Sequence, residues 1–300
     1  MTGSKRSRWL KLFALLAAMM ILAAACGEEE PADTGGGPDS TESPVADFTL
    51  ANEGHLTVGS DIPYPPFEFE EAGELTGFDV EIVRAIAVKL GLDNEGSDWI
   101  SFDFGTIFTH LQSPGRRFDI VVAAVTGYAP EGSPASETVA ERTSLIDFTD
   151  PYYPSLQSLT INTDSSGDIQ GVDDLSEGDR VGVQRATTGA FYAEENLAPL
   201  GVELVSFNQA PQMYQQLQAG SLVAVFNDLP VSSVYAGDLP VLEVVEQVPT
   251  GEEYAIAVPK DNTALTEAIN QALGELIEEG TYQEIFQKYF PDQTLPDYAM

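Results

Sequence analysis

Three hundred residues, 43% of them hydrophobic, are enough for one large domain or two medium ones with a buried core. The 48 Asp and Glu against 13 Lys and Arg give a formal charge of −35, a surface that repels nucleic acid and anionic lipid. A single cysteine excludes an internal disulfide and a cysteine-built metal cluster.

The chain opens on Lys5, Arg6, Arg8 and Lys11, followed by the apolar run Leu12 to Ala25, shorter than the roughly 18–20 residues a spanning helix needs. Residues 1–25 read as a signal peptide. Leu22-Ala23-Ala24-Ala25 directly precedes Cys26, and small residues before a cysteine resemble the bacterial lipobox, in which that cysteine is diacylated after cleavage. The usual leucine three places before the cysteine is here Ala23, with Leu22 one step further back. The alternative is a plain signal peptide with a bystander cysteine. Residues 26–47 are rich in Glu, Gly, Ser, Thr and Pro and read as a disordered acidic tether. All 48 acidic residues follow the first 25, which hold four of the 13 cations, so the processed chain carries −39. These features predict an extracytoplasmic protein held to the cell membrane by a lipid on Cys26.

From Phe48 onward, short β-like runs alternate with amphipathic helices. Leu56–Gly59 reads as a strand entering a Pro-rich loop, Ile62 to Phe67. Phe78 to Leu90 has helical spacing at Val80, Ile82, Val83, Ile86, Ala87 and Leu90, stopped by Gly91. Asp119 to Val125 reads as one continuous buried strand of the parallel type. A strand at Val181–Val183, a Thr-Thr-Gly turn and a helix at Ala190–Asn196 follow, then a helix at Gln212–Ala219 and a strand at Leu222–Phe226. The chain closes with a strand at Tyr254–Val258 and helices at Thr263–Glu279 and Tyr282–Tyr289. This alternation argues for α/β architecture with parallel sheets. Glu68 and Glu70 read as the exposed side of an alternation with Phe67 and Phe69.

Asp61-Ile-Pro-Tyr64-Pro-Pro-Phe67-Glu-Phe and Gly77-Phe78-Asp79-Val80-Glu81 resemble the bacterial extracellular solute-binding proteins of family 3. Blocks at Arg142 to Tyr153, Val181 to Gly189, Ala255 to Lys260 and Gly280 to Phe290 agree in order, so the likeness runs from residue 54 to 291. The resemblance implies a type II periplasmic-binding-protein-like α/β fold, two lobes joined by two hinge strands and closing on a ligand. On that template, lobe 1 holds 48–156 plus 253–300, and lobe 2 holds 157–252.

An amino acid presents a carboxylate, an ammonium and a side chain, so its pocket needs opposite charges at fixed places. A guanidinium meets a carboxylate with two parallel hydrogen bonds, which an ammonium cannot reproduce. The resemblance assigns the ligand carboxylate to Arg142, Thr126, Thr187 and Thr188, the ammonium to Asp228, and the side-chain pocket to Asp61, Tyr64, Phe104, Gln184 and Asn227. The family places this Arg about five residues after the hydroxyl; here Arg142 comes sixteen after Thr126. The intervening Gly127–Glu141 reads as an inserted loop at the pocket mouth. Each residue has a plainer role beside this one: a solvated arginine facing Glu141, N-capping by the threonines, helix capping by Asp228, core packing for the two rings.

The function implied is the substrate-binding component of an ABC importer, a monomer that captures a polar amino acid and presents it to a membrane permease. No nucleic acid, metal or cofactor is implied. An enzyme on the same scaffold, such as a dehydratase, would need a tuned acid or base in the crevice. No catalytic or metal spacing is visible around His55 and His110. A ligand-presenting partner of a sensory receptor is the other alternative.

Overall fold

The computed structural model describes residues 48–92 and 97–300. The signal peptide, Cys26 and the tether lie outside the described residues. The strands are β1 (Leu56–Ser60), β2 (Phe69–Glu71), β3 (Glu74–Thr76), β4 (Ser97–Ser101), β5 (Ile120–Val121), β6 (Thr126–Tyr128), β7 (Asp147–Phe148), β8 (Tyr153–Asn162), β9 (Arg180–Gln184), β10 (Glu203–Phe207), β11 (Ala224–Asp228), β12 (Leu242–Tyr254) and β13 (Ala257–Val258). The helices are α1 (Phe78–Lys89), α2 (Phe104–Gln112), α3 (Ser136–Leu145), the one-turn α4 (Thr163–Ser166), α5 (Thr188–Asn196), α6 (Ala210–Gln218), α7 (Leu229–Asp238), α8 (Thr263–Glu278) and α9 (Thr281–Tyr289).

Two mixed sheets result, one in the order β4-β1-β5-β13-β7 and one in the order β10-β9-β11-β8-β12-β6. In each, a parallel trio carries helical crossovers, and antiparallel strands complete it. The long strands β8 and β12 pair from Tyr153–Tyr254 to Asn162–Leu242. At the Tyr254 end the chain passes through Ala255 and Ile256 into β13 of the other sheet.

The motif residues at Phe67, Phe78, Tyr153, Tyr254 and Phe290 form one aromatic cluster. Phe78 meets Phe290 at 5.2 Å and Phe67 at 6.3 Å between ring centroids, and Tyr153 meets Phe290 at 4.7 Å. Burying each such ring contributes about 1.5–3 kcal/mol, so these blocks are core as much as site. Gly77 sits at φ 132°, where a Cβ would fall 2.0 Å from the Phe67 carbonyl oxygen, so only glycine allows this loop to lie against α1.

Three sequence expectations need correction. Asp119–Val125 is not one strand. Only Ile120 and Val121 join the ladder, and Ala124 turns to φ 47° so that its N–H reaches the Asp79 carboxylate at 3.0 Å. Tyr254–Val258 is likewise split, with Tyr254 ending β12 and Ala257 starting β13. The presumed loop Gly127–Glu141 is irregular only between β6 and α3. Its second half is helical and delivers Arg142 in the last turn of α3.

Candidate functional site

The strand ends and helix starts of both sheets converge on a cleft with about 330 Å³ of atom-free space, open solvent at its mouth included. Its walls carry Asp61, Tyr64, Phe104, Thr126, Arg142, Gln184, Thr187, Thr188 and Asp228, together with Glu68, Ala123 and Ala124. Every residue expected at the site is therefore here except Asn227. That side chain stands behind Tyr64, where its Oδ1 accepts from the Tyr64 hydroxyl at 3.2 Å.

Arg142 is 5% exposed, which rules out a solvated arginine. Its Nη1 donates to the Thr126 carbonyl at 2.9 Å and its Nη2 to the Ala186 carbonyl at 3.2 Å. The guanidinium lies over the rings of Phe104 and Phe108, at 5.4 and 5.3 Å. Among the described residues no carboxylate forms an ion pair with it. Burial lowers its pKa to about 10, opposed by the charges of Glu252 and Asp228, so it remains a cation at neutral pH. A buried guanidinium held flat by two carbonyls and two rings, with no anionic partner, is prepared for a planar anion.

Thr187 starts α5 with its Oγ1 accepting from the Ala190 N–H at 3.1 Å, so the capping role is present. Asp228 stands at the start of α7 but makes no capping hydrogen bond. Its carboxylate turns into the cleft instead, accepting from Tyr64 Oη at 2.7 Å and Gln157 Nε2 at 2.5 Å. Burial pushes its pKa up to about 6, with the nearby Glu252 charge adding to the rise. Asp61 accepts from Gln184 Nε2 at 2.6 Å, and burial lifts it to about 6 as well.

Two buried acids escaped the sequence reading: Glu68, in the cleft wall, and Glu252, bonded to Thr126 and Thr188 of that wall. Glu68 was expected on an exposed face and is fully buried. Phe67 and Glu68 both turn inward because the Tyr64 N–H and Glu68 carbonyl close a tight turn, breaking the alternation. Neither Glu68 carboxyl oxygen has a hydrogen-bond partner, and burial beside Asp79 and Asp61 drives its pKa well above the ordinary range. Glu252 is 2% exposed and accepts from Thr126 Oγ1 at 2.7 Å and Thr188 Oγ1 at 2.6 Å. Gln157, also unforeseen, bridges Glu252 and Asp228. The pattern "Pro249-Thr250-Gly251" was the available signal. A register break between Val248 and Glu252, with Gly251 at φ 69°, re-aims the strand there.

Among the described residues no cluster of His, Cys, Asp or Glu is arranged to hold a metal, and no helix is long and apolar enough to cross a membrane. Contacts cross the cleft from both sides: Tyr64 to Asp228, Gln184 to Asp61, Arg142 to Ala186, and at the rim Arg185 to Asp103 at 2.7 Å.

The chain is similar in sequence and fold to known proteins. The chain is 28% identical over 248 residues to the histidine-binding periplasmic protein of Escherichia coli K12, covering 79% of this chain and 87% of that one. It is 30% identical over 253 residues to the L-cystine-binding protein TcyJ of the same organism, covering 82% and 87%. A solved ancestral arginine-binding protein bound to arginine superposes with a TM-score of 0.70 at 33% identity, covering 79% of this chain and 98% of that one. Residues 56–292 match the family described as bacterial extracellular solute-binding proteins, family 3, and the chain belongs to that family.

Proposed function

We propose that this protein is the extracytoplasmic substrate-binding component of an ABC importer and captures a polar α-amino acid between its two lobes. The carrying observation is the separation of opposite charges across one cleft: Arg142, buried without an anionic partner at the end of α3, faces the cleft that Asp228 enters from the end of β11. An α-carboxylate on Arg142 and an ammonium on Asp228 complement that pair, and Tyr64 and Phe104 flank the side chain. Asp61 and Gln184 stand where its distal end would arrive, and the surplus of acids over Arg142 favours a cationic side chain. The arginine- and histidine-binding relatives support that preference.

Binding rather than catalysis is the reading for the cleft. Lobe division falls within β8 and β12, at residues 156/157 and 252/253, and closure brings Tyr64 to Asp228 and Arg185 to Asp103. The processed chain would be a monomer, anchored through a lipid on Cys26 and presenting its closed form to a permease. Glu68, held protonated by burial, and Asp61 and Asp228, both raised to about 6, are the cleft acids an enzyme alternative would draw on. Among the described residues no histidine or lysine stands in the cleft wall to complete an acid–base pair with them.

A thermal-shift screen of ligand-stripped protein against the twenty amino acids tests the reading. A true ligand at 100 times its Kd stabilises the fold by about 2.7 kcal/mol. A shift confined to one or a few polar amino acids is expected. The absence of any shift would refute amino-acid capture.

A further inference from the structure

The Thr126 hydroxyl that the amino-acid reading assigns to the ligand carboxylate, and the Thr188 hydroxyl beside it, are already spent on a carboxylate of the protein itself. Thr126 Oγ1 and Thr188 Oγ1 both point to Glu252 Oε2, at 2.7 and 2.6 Å, and lie 3.4 Å from each other. A hydroxyl has one proton to donate. A ligand carboxylate that reaches Arg142 and these threonines therefore cannot share them with Glu252, and two carboxylates on one pair of hydroxyls repel in a buried setting.

We propose that Glu252 is an internal carboxylate that holds Thr126 and Thr188 until the α-carboxylate of a ligand displaces it, so that Glu252 sets both the affinity of the cleft and its discrimination among carboxylated ligands. The inference rests on the amino-acid reading above. Glu252 has somewhere to go. Its Oε1 already lies 3.3 Å from Gln157 Nε2, whose other contact is Asp228 Oδ1. Displaced toward Gln157, Glu252 joins Asp228 on the side where the ligand ammonium arrives, and the exchange trades hydroxyl contacts for an ionic one. The backbone beneath it suits such a move, because Glu252 follows directly on the irregular register at Val248–Glu252 and on Gly251 at φ 69°. The exchange favours ligands that carry a carboxylate and an ammonium together. A carboxylate alone must evict Glu252 without supplying the cation that receives it.

The experiment is calorimetric titration of full-chain wild type, Glu252→Gln and Glu252→Asp with L-arginine, L-histidine and L-glutamine. Their carboxylate-free counterparts agmatine, histamine and 4-aminobutanamide are titrated in parallel. Gln keeps an acceptor for the hydroxyls without the charge, and Asp keeps the charge on a side chain too short to reach both. Each variant should bind the responding amino acid at least tenfold more tightly than wild type, while the amine counterparts bind equally or more weakly. Thermal unfolding of the unliganded variants serves as the fold control, and the Asp variant carries the test where the Gln variant fails to fold. Wild type that binds an amino acid, with variants within twofold of it or weaker, overturns the displacement and leaves the amino-acid reading intact. A gain shared equally by the amines also overturns it. Should wild type and variants alike bind none of these amino acids, and the thermal screen of all twenty give no shift, the amino-acid reading fails and takes this inference with it.

Discussion

Two pairs of buried acids, Asp228 with Glu252 and Asp79 with Glu68, differ in the donors that meet them. Asp228 and Glu252 have their oxygens met by Tyr64, Gln157, Thr126 and Thr188. In the other pair, Asp79 is met by Tyr152 at 2.9 Å and the Ala124 N–H at 3.0 Å, while Glu68 has nothing. Burial is nearly complete in both pairs, so desolvation alone does not separate them. Donors do. A carboxylate given two or three donors can remain charged in the interior, whereas one with none is cheaper as a neutral acid. Asp228 is thus equipped to meet a cation once ionised above about pH 6, whereas Glu68 holds its proton.

The largest expected effect tests the cation that faces these acids across the cleft, Arg142, as the group that holds the ligand carboxylate. Arg142→Ala should weaken binding of the responding amino acid by roughly 10²–10³-fold, about 3–4 kcal/mol, since a desolvated ion pair is lost. Arg142→Lys keeps the charge but not the planar fork, and should still lose most of that affinity. Isothermal titration with circular dichroism as the fold control measures both. Lys restoring wild-type affinity would show that charge alone suffices.

A smaller effect comes from pH, and it runs in opposite directions for affinity and stability. Asp228 must be ionised to hold an ammonium, and its pKa in the folded chain is raised to about 6. Affinity should therefore fall as pH drops below about 6, approaching tenfold per unit. Stability of the ligand-free protein should do the reverse. Asp61, Asp79 and Asp228 take up protons near pH 6 when folded and only near the ordinary value of about 4 when unfolded. Between those values the folded state binds more protons, so it gains stability on acidification from pH 7 toward 5 and loses it again as pH rises through 6. Thermal melts across pH 4.5–8 check the sign. A ligand-free melting temperature that falls steadily from pH 7 to 5 would contradict the raised values.

How much of this was legible beforehand depended on what each residue's neighbours in sequence reveal. Arg142, Thr126, Asp228 and the Thr187-Thr188 turn stand in blocks whose spacing places them, even across the longer gap before Arg142. The gap is absorbed by α3 rather than by an open loop, which is why Arg142 still arrives over Phe104 and Phe108. The long strands β8 and β12 were invisible because their burial does not alternate cleanly. Residues 157–162 are buried or nearly so without a break, and β12 carries four glutamates through two register shifts. Glu252 was hidden for a different reason: Val248, Thr250, Glu252 and Tyr254 alternate as the buried face of β12, but a threonine and a glutamate at two of these positions, beside Pro249 and Gly251, give no apolar signal. Glu68 was misread because alternation with Phe67 and Phe69 suggested a strand, where the chain makes a turn stacked against α1.

That misread residue offers the finest test of the two acid pairs. If Glu68 is the neutral member, Glu68→Gln leaves the folded charge unchanged and removes the cost of keeping a proton on it. The unfolded chain ionises Glu68 above about pH 4.3, so in wild type that cost grows with pH by up to about 1.4 kcal/mol per unit until the folded pKa is reached. The variant should therefore match wild type near pH 4.5 and exceed it in thermal stability by about 1 kcal/mol or more at pH 7.5. Its amide N–H groups also gain the carboxylate of Asp79 as an acceptor, whose charge raises the Glu68 pKa in the wild type. Asp228→Asn on the other side of the cleft should show the contrasting behaviour, losing amino-acid affinity at every pH above 6 because a charge is removed. A Glu68→Gln variant that is less stable than wild type at pH 7.5, with no pH trend in the difference, would place a charged Glu68 in the fold and erase the distinction between the pairs.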